Sequence, residues 1–145
     1  HHFSNKQALI EALFNERLQA FDTSISQAMK LDSELSGCFT RAYITATLEQ
    51  IEKDDFIHWA ALMMLLLTEP GLKKRWAEWL ERLLERHQGT DSGPELQLAR
   101  YAVDWLWLAG LLDEKERTAT KREVLHLHSR LIEMTRKSGY ACVVP

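Results

Sequence analysis

Two carboxylate–imidazole pairs have spacing that could do chemistry: Asp55 with His58, and Glu123 with His126. Three residues apart on a helix, a carboxylate and an imidazole share a face, and two such pairs plus two bridging glutamates make a di-metal centre inside a helical bundle. Glu11 and Glu16 would have to supply those bridges. Asp stands for Glu in one pair, and His126 and His128 point to different faces, which both count against the centre. The chain has no Gly-rich phosphate loop, no Gly-x-Ser-x-Gly and no zinc-type Cys/His spacing. No catalytic residue, metal or cofactor is therefore expected; a metal-binding bundle using Asp55/His58 and Glu123/His126 is the alternative reading.

A second group of side chains suits binding better than catalysis. Phe39, Tyr43, Trp59, Met63, Trp76, Tyr101 and Trp105 load the middle of the chain with large adaptable groups, as do Met64 and Trp79. Each alone reads as core. Together they could line a pocket for a flat or apolar ligand, with His58, Arg41 and Asp104 as its polar contacts.

The elements that must hold these residues are helices. The 145 residues include only six Gly and three Pro, and β-branched runs are scarce, so one all-α domain is expected. A net charge of −3 exerts no general pull on nucleic acid. The run Trp59 to Leu67 is far shorter than the ~20 residues of a membrane span. Cys38 and Cys142, far apart and in no C-x-x-C, are expected to be reduced thiols in a cytoplasm.

The spacing predicts six helices. The first runs from about Ser4 to Lys30, with a Ser4/Gln7 capping box and Ile10, Leu13, Phe14, Leu18, Phe21 and Ile25 at helical intervals. The second runs from about Ser33 to Lys53. A third starts after Asp54 or Asp55 and stops at Thr68-Glu69-Pro70-Gly71. The fourth, Leu72 to about Gln88, is plainly amphipathic, and Gly89 to Pro94 reads as a flexible loop. The fifth runs from Pro94 to about Leu112. Asp113 and Glu116 cap the sixth, which ends near Ser138-Gly139.

The fifth helix is apolar nearly all round, because Gln97, Arg100 and Asp104 form one narrow polar stripe. Such a helix must be covered on nearly all sides. It is either central in its own bundle or packed on the core with one face and on a second copy with the other. Isologous dimers are the commonest assembly, which favours the second packing.

The start of the chain carries a more specific pattern. His2, Phe3, Asn5, Lys6, Leu9 and Leu13 occupy positions that resemble the tetracycline-repressor (TetR) family where its recognition helix ends and its long fourth helix begins. One long helix followed by five others repeats the order of that family's C-terminal domain. The segment Ala102 to Leu108 also looks like an Asp-Gly-Leu-Trp motif of many members, with Trp105 where Gly is usual. The resemblance covers essentially the whole chain.

It implies a six-helix ligand-binding and dimerisation domain over residues 6–139, helices equivalent to the family's fourth to ninth. Residues 1–5 would be the end of a helix-turn-helix domain, and 140–145 a tail. The chain lacks an initiator Met and reads as the middle of a longer protein, although His1-His2 also fit the end of an affinity tag. The last two helices would form a four-helix dimer interface from Val103, Leu106, Trp107, Gly110, Leu127 and Leu131. His2 and Lys6 would touch DNA phosphate. The expected partners are a second copy, a small lipophilic or aromatic effector, and operator DNA through a preceding domain. The resemblance thus points to a bacterial cytoplasmic regulator, a repressor released by its effector, and not an enzyme or membrane protein.

Overall fold

The long first helix is started by a side-chain cap. Asn5 is extended, and its Oδ1 accepts from the Ala8 amide at 2.8 Å, satisfying one of the orphan N–H groups of α1, Lys6–Leu31. The expected cap at Ser4 lies outside the described residues, and Asn5 performs that task. The computed structural model describes residues 5–51, 53, 56–112 and 114–137, with the backbone alone at 114–124 and 137. Those residues form α2 (Cys38–Ile51), α3 (Phe56–Met64), a 3-10 turn (Leu65–Leu67), α4 (Pro70–Arg86), α5 (Gln88–Asp91), α6 (Pro94–Leu112) and α7 (Glu114–Lys137). Among the described residues there is no strand.

The organising element is α2, not α6. Every residue from Cys38 to Leu48 except Thr45 is buried, and α2 is covered by α1, α6 and α7. Phe21 and Ile25 of α1, Phe39 and Ile44 of α2, and Val103 of α6 meet in one core. Each such side chain contributes about 1.5–3 kcal/mol on leaving water. α6 gives that core one face, with Leu96, Ala99, Val103 and Gly110, and leaves its opposite face open.

Three boundaries differ from the sequence expectation, each for a local reason. The second helix begins at Cys38 instead of Ser33, because Asp32 ends α1 in an extended conformation and accepts from the Glu34 amide at 3.0 Å. The connection then passes through Gly37 at φ +71°, where a Cβ would sit 2.9 Å from the Arg41 guanidinium. The fourth helix starts two residues early, because Pro70 has a φ already suited to the first helical turn. The stretch expected to be a flexible loop contains α5, making seven α-helices among the described residues instead of the six expected. Asp91 at its end is buried and caps α2 from a distance, its Oδ1 accepting from the Thr40 amide at 2.7 Å. The expected caps at Asp54, Asp55 and Asp113, and the tail with Cys142, lie outside the described residues.

Candidate ligand cavity and the outer face of α6

A cavity of ≈190 Å³ opens beside the C-terminal half of α2. Helical spacing builds its wall. Tyr43, Thr47 and Gln50 follow one another at four and three residues along α2, Trp59 and Met63 at four along α3, and Asp104 and Trp107 at three along α6. Phe21 of α1 and Trp76 of α4 complete it, their rings stacked at 6.5 Å between centroids and 9° between planes. Trp79 packs against both, and its indole N–H donates to Asp22 at 3.3 Å. Aromatic contacts thus join α1 to α4 at this wall.

Few polar groups reach this space. The Tyr43 hydroxyl donates to Asp104 Oδ1 at 2.8 Å. Burial pushes the Asp104 carboxyl up to about 6, against the opposing effects of the Tyr43 bond and the Arg100 charge. The residue as a whole is open to solvent at the mouth, so the upward push comes from the surrounding side chains and not from full enclosure. Tyr43 in turn is raised well above the ordinary phenol value, by burial and by the neighbouring carboxylate. Thr47, only 5% exposed, has a hydroxyl with no hydrogen-bond partner. A buried hydroxyl left so costs free energy unless something else meets it.

The expected ligand set separates into three places. Tyr43, Trp59, Met63 and Trp76 do line the cavity, and Asp104 joins them. Phe39 does not: it is fully buried and stacks on His87 at 4.9 Å. Tyr101 and Trp105 do not either, each being 61% exposed on the outer side of α6. Of the other polar candidates, Arg41 is bound to Asp32 at the opposite end of α2 and His58 is exposed. Phe21, Thr47, Gln50 and Trp107 had not been expected there. The Tyr43–Thr47–Gln50 spacing was the one sequence signal that could have found two of them.

The expected interface set is redistributed too. Val103, Gly110 and Leu131 are buried inside the subunit, with Gly110 against Ile51 and Phe56. They are core residues. Leu106 and Trp107 pack half-buried on the core, and only Leu127 is exposed. The apolar side chains left open form a different stripe: Leu98, Tyr101, Trp105 and Leu112 on α6, with Leu125, Leu127 and Met134 on α7. Because α6 is apolar almost all round, its pattern alone does not say which stripe turns inward.

Lys6 lies exposed in the first turn of α1, and His2 is outside the described residues. Asp55 and the Glu123 side chain are also outside them. Among the described residues no three His, Cys, Asp or Glu side chains converge as a metal site, and no helix is long and apolar enough to cross a membrane. Cys38 is buried, and burial raises its thiol. Residues 37–136 match the family model described as tetracyclin repressor-like, C-terminal domain. No curated protein and no solved structure matches the chain.

Proposed function

The chain belongs to the tetracyclin repressor-like family through its C-terminal domain, and on that premise we propose that it is the ligand-sensing and dimerising part of a cytoplasmic bacterial transcriptional repressor. The observation that carries this reading is Phe21. It lies on α1, the helix that would join a DNA-reading segment, and it also forms the cavity wall against Trp76. A guest touching Phe21 favours one packing of α1 over another, and so shifts a population of the attached segment between DNA-binding and released forms. The effector is a small, largely apolar molecule. Lys6, in the first turn of α1, and His2, four residues before it in the sequence, are the positions assigned to DNA phosphate.

Dimerisation uses the outer stripe of α6 and α7. Leu98, Tyr101, Trp105 and Leu112 recur at three, four and seven residues on one face, and an apolar face of this kind on a folded subunit marks an interaction surface. Pairing with itself about a two-fold axis gives a four-helix contact. Light scattering tests this with the wild type and one variant. Trp105→Glu is expected to convert a dimer into a folded monomer, because a carboxylate cannot be desolvated there without a partner. A monomeric wild type, or a dimeric Trp105→Glu, overturns the interface. The sensing half is tested by hydrogen exchange. 2-Phenylethanol at millimolar concentration is expected to slow exchange in α1 around Phe21, and exchange that stays unchanged there while the molecule is bound overturns the coupling.

A further inference from the structure

The cavity's lining singles out one ligand chemistry. Among the described residues Phe21, Tyr43, Trp59, Trp76 and Trp107 surround it, Asp104 is its carboxylate, and no Lys, Arg or His lines it. Tyr43 satisfies one oxygen of that carboxylate. Among the described residues no second donor reaches it. The nearby cations are engaged or turned elsewhere. Arg100, one turn back on α6, donates to the Thr40 hydroxyl and to the Asp91 carbonyl. Arg17 and Lys53 line a separate small crevice on the far side of Phe21, Gln50 and Trp59.

The guest should not place a second negative charge beside Asp104, and it should add to the partial compensation that Tyr43 and the Arg100 charge already give that carboxylate. A cation meets both conditions. Ring faces attract it by ~0.5–2 kcal/mol, and a carboxylate adds a charge-assisted hydrogen bond. Thr47 belongs to the same wall, but its hydroxyl oxygen is covered by protein and leaves Asp104 as the group that meets the charge. The size of the guest is bounded as well. At ≈190 Å³ the cavity is below the roughly 300–1,000 Å³ typical of drug-sized ligands, which suits a single ring with a short arm.

Resting on the ligand-sensor reading above, we propose that the cavity takes a small aromatic cation, a protonated amine whose ring lies among Phe21, Trp59 and Trp76 and whose ammonium meets Asp104. The test is a matched series of one ring and one short arm: 2-phenylethylammonium, 2-phenylethanol and 3-phenylpropanoate. Affinity is measured by calorimetry at pH 7.5 on the full chain, with the indole N–H signals of Trp59, Trp76 and Trp107 followed by NMR. The ammonium is expected to bind at least about tenfold more tightly than the alcohol or the carboxylate, a difference of ~1.4 kcal/mol. In Asp104→Asn the three affinities are expected to fall within about threefold of one another.

Equal binding of alcohol and ammonium overturns the cation and leaves the sensor reading standing. Unmoved indole signals with all three probes overturn both. A preference for ammonium that survives intact in Asp104→Asn overturns the assigned site. The wild-type selectivity decides the cation by itself, so the proposal remains falsifiable if the variant does not fold.

Discussion

The two ends of α2 differ in how densely their buried polar groups are bonded to one another. At the N-terminal end most buried charged and polar groups are answered, Arg41 Nη1 being the exception. Arg41 binds Asp32 at 2.5 Å and the Glu34 carbonyl at 2.6 Å, while Asp91 caps the Thr40 amide and holds the Thr90 hydroxyl at 2.8 Å. Arg100 joins this network through Thr40 and the Asp91 carbonyl. At the C-terminal end the Thr47 hydroxyl has no partner, and among the described residues Asp104 has one hydrogen bond, from Tyr43. Satisfied polar networks rigidify and specify one packing. Unsatisfied groups beside a cavity are where a further molecule gains most by entering. The first end is a frame; the second is a receptor.

The largest effect should come from breaking the frame. Asp91→Ala removes the cap of α2 and leaves Arg100 buried without its carboxylate neighbour. Removing one partner of a buried charged network costs about 3–5 kcal/mol. For a chain of this length the melting temperature should fall by roughly 10 °C, read by calorimetry at fixed protein concentration. A loss under about 1 kcal/mol would mean that the short α5 is a tether and not a structural member.

The two ends should also answer pH with opposite signs. Burial by itself would raise Asp32, but the Arg41 bond, the Glu34 amide and the charges of Arg41 and Arg136 outweigh it and hold the carboxyl below its ordinary value. Its contribution is present above the unfolded value and is lost as pH falls through the folded one. Asp104, raised to about 6, does the reverse: its contribution is full below the unfolded value and is lost as pH rises through about 6. Asp104→Asn keeps an acceptor for Tyr43 and removes the charge. At pH 7.5 it should stabilise by about 1 kcal/mol, after discounting for solvent at the cavity mouth. Below pH 4 the difference from wild type should vanish. A variant less stable than wild type at pH 7.5 would show that the Tyr43 bond needs the carboxylate.

How much of this could be read in the sequence follows the same division. Helix positions were legible because periodicity and Pro, Gly and Asp punctuation act locally. The aromatic cavity was half legible, since Tyr43, Trp59, Met63 and Trp76 are large groups on helices that must converge. Phe21 was read only as the packing face of α1, because nothing local says that a core residue borders a void. The frame was not legible at all. Asp91 lies in Gly-Thr-Asp-Ser-Gly-Pro, which reads as a loop, and its partners are 51 residues away at Thr40 and nine away at Arg100. The two faces of α6 were exchanged for a related reason. Trp107 and Trp105 are two residues apart on an apolar helix, and only tertiary packing decides that the first enters the cavity and the second stays outside.

The smallest effect is the sharpest probe of the receptor end. Thr47→Val changes a hydroxyl for a methyl in a buried wall. In a packed core that exchange usually costs stability, because a made hydrogen bond is lost. Here none is made by the protein, so the empty protein should gain about 0.5–1 kcal/mol, which is about 1–3 °C in melting temperature. The same variant should bind 2-phenylethylammonium within about twofold of wild type, because the hydroxyl oxygen is covered by protein and does not reach the guest. A gain in stability with a larger loss of binding would mean that Thr47 does reach the guest and is kept for it at the expense of the fold. A variant less stable than wild type would mean instead that water already holds this hydroxyl, and that the two ends of α2 differ less than their protein contacts suggest.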